Sequence, residues 1–382
     1  MKMWIEKDNC TGCGACTNAC KFGAIKMVED KYGFKHPEVD NSKCVNCGMC
    51  KRTCPILNAK DNNHYKKPVV YAAWSKNNDT RYNSTSGGIF TEIAHQIIRE
   101  KGYVAGAKYN DKNLVVHALV ENEKGIEQLR QSKYVQSDTG NIYKKVREKL
   151  EEKSLVAFVG APCQVAGLYK FLIKDYPNLL TIEFICRGMN SPKAYKKWLE
   201  ELEIKNKSKI KKVWFKYKIN GWKASPKCTK IEFRNGKNIV LNGKKNTYMC
   251  GYLGPNLYIR PSCGNCKFKG IPRQADITLA DFWGIEASMD NDQGTSMILV
   301  NSERGEEYIK KIKPYIVFKE KRIEDILEGN ECFTKSVEIN EKSKEFLSRV
   351  NEYNFDKLVK KYEPKDKIIK RIVRKAKRLI RK

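Results

Sequence analysis

Eight cysteines within the first 54 residues constrain this chain more than any other feature. They fall as Cys10-x2-Cys13-x2-Cys16-x3-Cys20 and again as Cys44-x2-Cys47-x2-Cys50-x3-Cys54-Pro55. The same spacing returns after 34 residues, so the two runs form an internal repeat. A C-x2-C-x2-C loop presents three thiolates to one face of an iron–sulfur cube, and a fourth ligand must come from elsewhere. Gly12, Gly14, Ala15 and Gly48 let backbone amides approach the cluster sulfurs, where hydrogen bonds tune the reduction potential. Zinc prefers two well-separated pairs, which a tight triple does not offer. A disulfide framework belongs to small secreted domains.

This segment resembles the bacterial two-cluster ferredoxins over about the first sixty residues. In that pattern the last cysteine of each run ligates the other run's cluster. The resemblance therefore assigns Cys10, Cys13, Cys16 and Cys54 to one 4Fe-4S cluster, and Cys44, Cys47, Cys50 and Cys20 to the second. Lys21 follows Cys20 where the second run has Pro55, which touches only the local turn.

The remaining length, out of 382 residues, suits two or three domains, and 41% hydrophobic residues supply a core. The start of the chain lacks the apolar stretch of a signal peptide, and no apolar run reaches membrane-spanning length. A cytoplasmic protein is expected, its 15 cysteines serving as metal ligands or free thiols. The formal net charge of +30 invites a nucleic-acid reading. Cluster thiolates offset part of it, the cations are spread along the chain, and no RNP, zinc-finger or helix-turn-helix signature occurs. No specific nucleic-acid binding is expected; a diffuse basic surface suits an acidic redox partner. The densest basic run is the C-terminus. Over 365–382 the residues Ile368, Ile369, Ile372, Val373, Ala376, Leu379 and Ile380 share one helical face. That pattern predicts a basic helix docking on a partner or an anionic membrane surface from the cytoplasmic side, against a solvated tail as the alternative.

After a polar linker at 58–68, Val69–Trp74 predicts a strand. Ser84-Thr85-Ser86-Gly87-Gly88 then opens a helix with Ile89, Phe90, Ile93, Ala94, Ile97 and Ile98 at helical spacing. That turn is either a phosphate cradle or an ordinary N-cap with a glycine turn. Strands follow at Tyr103–Lys108 and Leu114–Val120, and a helix at Asn141–Glu152. Leu155–Val159, the turn Gly160-Ala-Pro-Cys163, a helix from about Gln164 to Ile173 and a strand Leu179–Ile185 form a β-α-β unit with parallel strands. Cys163 and Cys186 lie just past the carboxyl ends of its strands, the edge where α/β sheets place their sites. Cys263-x2-Cys266 supplies a close pair before the strand Ala275–Asp281. Two converging cysteines and a pair suffice for a third cluster; three unrelated cysteine sites are the alternative. Walker, G-x-G-x-x-G, H-E-x-x-H and G-x-S-x-G motifs are absent, and four histidines leave little for hydrolase chemistry. No side chain stands out as a catalytic acid or base.

Ser86-Gly-Gly, Gly160-Ala-Pro-Cys163-Gln-Val-Ala-Gly-Leu168, Cys186-Arg-Gly with Ser191-Pro192, Arg260-Pro-Ser-Cys263-x2-Cys266 and Ala275-Asp-Ile-x3-Asp281-Phe-Trp-Gly284 occur in this order. Together they resemble the family of coenzyme F420 hydrogenase/dehydrogenase beta subunits, from about residue 69 to about 310. The resemblance implies FAD and a 4Fe-4S cluster on Cys163, Cys186, Cys263 and Cys266. Cys228, Cys250 and Cys332 are expected outside the ligand set, with Cys250, thirteen residues before Cys263, as the competing ligand. It implies FAD contacts at Ser86, Gly87 and Gly88 and at Ser132, Tyr134 and Gln136. Arg187 stands where the family frequently has histidine.

The expected fold is α+β and multidomain. A two-cluster ferredoxin domain (1–60) precedes a mixed α/β flavin and iron–sulfur region. That region divides into an FAD-binding part (69–152) and a part with the third 4Fe-4S site (153–315), before a helical basic tail (316–382). The expected function is an oxidoreductase moving electrons between 4Fe-4S clusters and FAD, toward a small-molecule or deazaflavin-like two-electron acceptor. Its partner would be a ferredoxin or an oxidoreductase subunit. A non-catalytic electron-transfer subunit is the alternative.

Overall fold

The computed structural model describes residues 4–58, 64–224, 227–327 and 329–363. The expected basic helix over 365–382 lies outside them. Among the described residues no helix is long and apolar enough to cross a membrane.

Among the described residues, thirteen strands build three sheets. β1 (Ile25–Glu29) and β2 (Lys35–Val39) form an antiparallel hairpin between the two cysteine runs. Its turn is made by Asp30, whose Oδ1 accepts from the amides of Tyr32 and Phe34, and by Gly33 at φ 87°. β3 (Val69–Ser75), β4 (Tyr103–Tyr109), β5 (Val115–Val120), β6 (Val156–Gly160) and β7 (Leu179–Phe184) enter the large sheet. β8 (Ile210–Tyr217), β9 (Cys228–Phe233) and β10 (Asn238–Leu241) make a small antiparallel one. β11 (Ile277–Asp281), β12 (Ser296–Val300) and β13 (Ile316–Lys321) return to the large sheet, whose order is β13-β3-β12-β11-β7-β6-β4-β5.

The middle of that sheet is parallel: β4 with β6, β6 with β7 and β7 with β11. The helix Pro162–Leu172 connects β6 to β7, as the β-α-β pattern predicts. Pro162 opens it, and the Gln164 Oε1 accepts from the Ala161 amide at 2.9 Å. Gly160, Phe184 and Asp281 end parallel strands at one edge. Antiparallel β12 begins there, with Ser296 opposite Asp281 and Ala73. The Ser84–Gly88 turn follows β3 at this same edge, as Cys163 follows β6 and Cys186 follows β7.

One sheet thus draws strands from all three segments expected beyond residue 69. The divisions at 152/153 and 315/316 cut through hydrogen-bonded neighbours: β4 pairs with β6, and β13 pairs with β3. Residues 316–321 are strand, not helical tail. The helices Ile89–Arg99 and Glu303–Ile312 bury Ile89, Ile93, Ile97, Ile309 and Ile312 in one core. A second core joins the helix Ile142–Glu151 and the helix Pro162–Leu172 to Cys13, Ala15 and Ala19 of the first cysteine run. A third is aromatic: Trp198 and Tyr258 stack on Tyr248 at 4.9 and 5.1 Å between centroids. Each such ring pair adds roughly 0.5–1.5 kcal/mol beyond area burial.

Candidate iron–sulfur centre

The chain folds so that each cysteine run completes the other. Cys10, Cys13, Cys16 and Cys54 line one cleft. Cys20, Cys44, Cys47 and Cys50 line a second. Gly14 and Gly48, both left-handed (φ 78° and 73°), turn the chain from each loop into a short helix. The Gly12 amide donates to the Cys10 Sγ at 3.4 Å.

The first cleft is gripped by the larger domain. Arg260 is buried to 1% exposure, donates from Nε to the Cys10 carbonyl at 2.6 Å, and lies over the Phe34 ring. Its other nitrogens donate to Gln136 Oε1 and the Lys35 carbonyl, and approach His36 Nδ1 at 3.3 Å. Gln136 Nε2 donates to the Thr11 carbonyl and Thr139 Oγ1 to the Cys13 carbonyl. Gln136, expected beside FAD, is therefore spent on a cluster loop. Glycine is required facing it: a β-carbon on Gly12 would stand 2.7 Å from Gln136 Nε2.

A third cavity, of about 420 Å³, lies beyond the first cleft. Cys163, Cys186, Cys263 and Cys266 line it, together with Thr11 and Ile56 of the ferredoxin-like segment. Cys163 is the second residue of the helix Pro162–Leu172, and Cys186 follows β7 at the same sheet edge. The Cys263/Cys266 loop folds over that edge as a single 3-10 turn, and the Met189 amide donates to Cys263 Sγ at 3.4 Å. One turn along from Cys163, a β-carbon on Gly167 would lie 3.1 Å from Cys13 Sγ. Cys13 and Cys163 thus meet across one helical turn.

Among the described residues, no three His, Cys, Asp or Glu side chains close around a point the size of one metal ion. The cysteines surround cavities instead. Burial pushes the thiols up: Cys13 and Cys186 to about 12, and Cys163 well above its usual range. After burial, the charges of Cys186, Cys13, Cys266 and Cys263 raise Cys163 further. Without metal these groups are thiols; a metal that binds them must displace their protons.

Cys228 and Cys250 stay outside the cavity. Cys228 accepts from Asn220, and Cys250, on the helix Thr247–Leu253, donates to the Gly243 carbonyl at 3.3 Å. Cys332 lines it. Arg273 lines it too, with its guanidinium on the fully buried Glu183 carboxylate at 2.5 Å.

At the same edge, the structure draws Ser86, Ser132 and Tyr134 together. The Ser132 amide donates to Thr85 Oγ1 at 2.7 Å, and the Lys218 ammonium donates to the carbonyls of Ser86, Arg81 and Gln293. Lys216 pairs with Asp281 and reaches the Tyr134 hydroxyl. Tyr134 sits 5.7 Å from Tyr252, ring to ring. Burial, then the neighbouring Cys186, keeps the Tyr252 hydroxyl protonated well above its usual range. Gly87 is closed to a phosphate from its own amide, which donates to Ser296 Oγ at 2.9 Å. Its α-hydrogen faces backbone: a β-carbon in that place would lie 2.4 Å from the Ala73 carbonyl oxygen. Of the two readings of that turn, Gly87 answers to the packing one.

Comparison with known proteins agrees with this geometry. Residues 9–57 match the 4Fe-4S dicluster domain. Residues 153–326 match the C terminus of the coenzyme F420 hydrogenase/dehydrogenase beta subunit. The chain carries both domains. One of the subunits of the F420H2 dehydrogenase of Methanosarcina mazei is 23% identical over 92% of this chain and 95% of its own length. The coenzyme F420-dependent sulfite reductase of Methanocaldococcus jannaschii is 26% identical over 90% of this chain, which spans 52% of that protein. A chain of the F420-reducing [NiFe] hydrogenase complex from Methanosarcina barkeri superposes with a TM-score of 0.48 at 18% identity, covering 80% of this chain and 94% of its own. The protein is an iron–sulfur electron-transfer protein of an oxidoreductase family whose relatives include subunits of larger enzymes.

Reading the sequence missed Arg260, Thr139, Lys216 and Cys332 as parts of these sites. Arg260 had a signal, standing three residues before Cys263 inside a recognised motif. The others are brought in by contacts distant in sequence, with no spacing to mark them.

Proposed function

We propose that this chain is an iron–sulfur flavoprotein oxidoreductase linking a one-electron protein carrier to a two-electron acceptor. Cys10, Cys13, Cys16 and Cys54 would hold one 4Fe-4S cluster and Cys20, Cys44, Cys47 and Cys50 the second. Cys163, Cys186, Cys263 and Cys266 would hold a third. The observation that carries this reading is the shared cavity wall: four cysteines of the larger domain face the same space as Thr11 and Ile56 of the dicluster segment.

FAD would face Ser86, Gly88, Ser132 and Tyr134, with Lys216 as a cation beside them. Bound FAD converts between one- and two-electron steps, chemistry that no side chain supplies. The protein's own residues hold the sites in line. Gly167 admits Cys13 beside the helix that carries Cys163, and Tyr252, a neighbour of Cys186, packs on Tyr134 at 5.7 Å between ring centroids. The acceptor is a small molecule or a deazaflavin, by similarity to relatives whose names carry coenzyme F420.

A second reading is supported by the Methanosarcina mazei relative, which is one subunit of a larger dehydrogenase. There the chain passes electrons to a partner enzyme and reduces no free substrate. Purification without oxygen tests the common core. About twelve irons per chain and FAD released by acid are expected, from three cubes of four irons. About eight irons and no flavin would refute it. Lys216→Met should lower the flavin content and leave the iron count unchanged.

A further inference from the structure

The cavity proposed for the third cluster holds one thiol more than a cube takes. Cys332 lines it with Cys163, Cys186, Cys263 and Cys266. Its place is fixed by backbone contacts. The Lys269 ammonium donates to the Cys332 carbonyl at 2.7 Å and to the Cys186 carbonyl at 2.6 Å. The two carbonyl oxygens can be no further apart than those bonds laid end to end. The Gly270 amide donates to the Phe333 carbonyl at 2.7 Å, and the Cys266 amide to Ser336 Oγ at 3.0 Å. The segment around Cys332 is thus stitched to the Cys263/Cys266 loop on one side and to Cys186 on the other. Tyr252 senses both Cys186 and Cys332.

From this juxtaposition we propose that Cys332 is an alternative ligand of the third cluster, able to take the place of Cys186. The proposal rests on the reading of this cavity as a cluster site. The exchange balances without an oxidant or reductant. The iron–sulfur bond to Cys186 breaks and that sulfur takes up a proton, while the Cys332 thiol gives up its proton and forms the new bond. Cluster charge and electron count are unchanged. The Lys269 bridge joins Cys332 to Cys186 and not to Cys163, so the exchange concerns Cys186 alone.

The test uses the full chain, purified without oxygen, with iron counting and EPR at low temperature. Cys186→Ser should keep about twelve irons with a shifted third-cluster signal, and Cys186→Ser/Cys332→Ser should fall to about eight. Cys163→Ser alone should also fall to about eight. The two dicluster signals report folding in every variant. Cys186→Ser dropping to eight in a wild-type background of twelve would overturn the proposal. So would a Cys186→Ser chain that loses the dicluster signals, since the site must hold together without that residue. A wild type of only eight would instead overturn the third-cluster reading, which separates the two failures.

Discussion

Arg260 donates from Nε to the backbone carbonyl of Cys10 at 2.6 Å, three residues before Cys263 takes its place in the neighbouring cavity. One buried guanidinium therefore ties the loop of the first cluster site to the loop of the third. Removing it strands Gln136 and the backbone carbonyls of Cys10 and Lys35 at a buried interface. Arg260→Met should cost at least about 3 kcal/mol in anaerobic denaturant unfolding, counting hydrogen bonds from a charged donor at about 1.5–3 kcal/mol each. A loss under 1 kcal/mol would mean the two domains do not depend on this contact.

Gly167 sets how closely the dicluster segment approaches the helix that carries Cys163. A β-carbon there meets Cys13 Sγ and the Tyr143 hydroxyl, both at 3.1 Å. Gly167→Val should destabilise the chain by about 1–3 kcal/mol through overpacking. It should also slow reduction of the third site relative to the first, followed by freeze-quench EPR. Unchanged rates and stability together would show that the contact has slack.

Acid should loosen the same interface through His36. Burial, then the adjacent Arg260, lowers this ring to about 4 from its usual 6.5. The unfolded chain takes up a proton as pH falls through 6.5, and the folded chain refuses it until about 4. Stability is therefore lost on going down through that window, by up to about 3 kcal/mol. His36→Gln should flatten the slope of unfolding midpoint against pH between 6.5 and 4. Parallel slopes in variant and wild type would assign the acid sensitivity elsewhere.

The second cleft reaches the surface. Cys47 is exposed, with Phe22 at 52% and Val45 at 57% exposure beside it, and Lys21, Lys43, Lys51 and Arg52 exposed around them. Reversing charge with Lys43→Glu and Lys51→Glu should slow reduction by an acidic ferredoxin by about tenfold at low salt. The gap should close as salt is added. A rate indifferent to these charges would move the docking site off this face.

The parts legible in the sequence were those whose partners lie close in the chain. The cysteine runs announce themselves by spacing, and β6, its helix and β7 by one apolar-turn-apolar stretch. Gly87 was ambiguous because a cradle and a tight turn use the same residues; Ser296, far along the chain, decides between them. Gln136 lies two residues from Tyr134 yet serves a different site, because the segment passes between the cluster loop and the sheet edge. Cys332 carries no spacing cue. Contacts distant in sequence, the Lys269 bridge among them, bring it to Cys186.

The most direct test follows flavin reduction by a reduced ferredoxin in a stopped flow, comparing wild type with Cys263→Ala. The variant should retain about eight irons and its FAD, and dithionite should still bleach that flavin. Reduced ferredoxin should bleach the wild-type flavin and leave the variant's oxidised on the same timescale. Flavin reduction at the wild-type rate in Cys263→Ala would contradict a third cluster standing between the dicluster segment and the flavin.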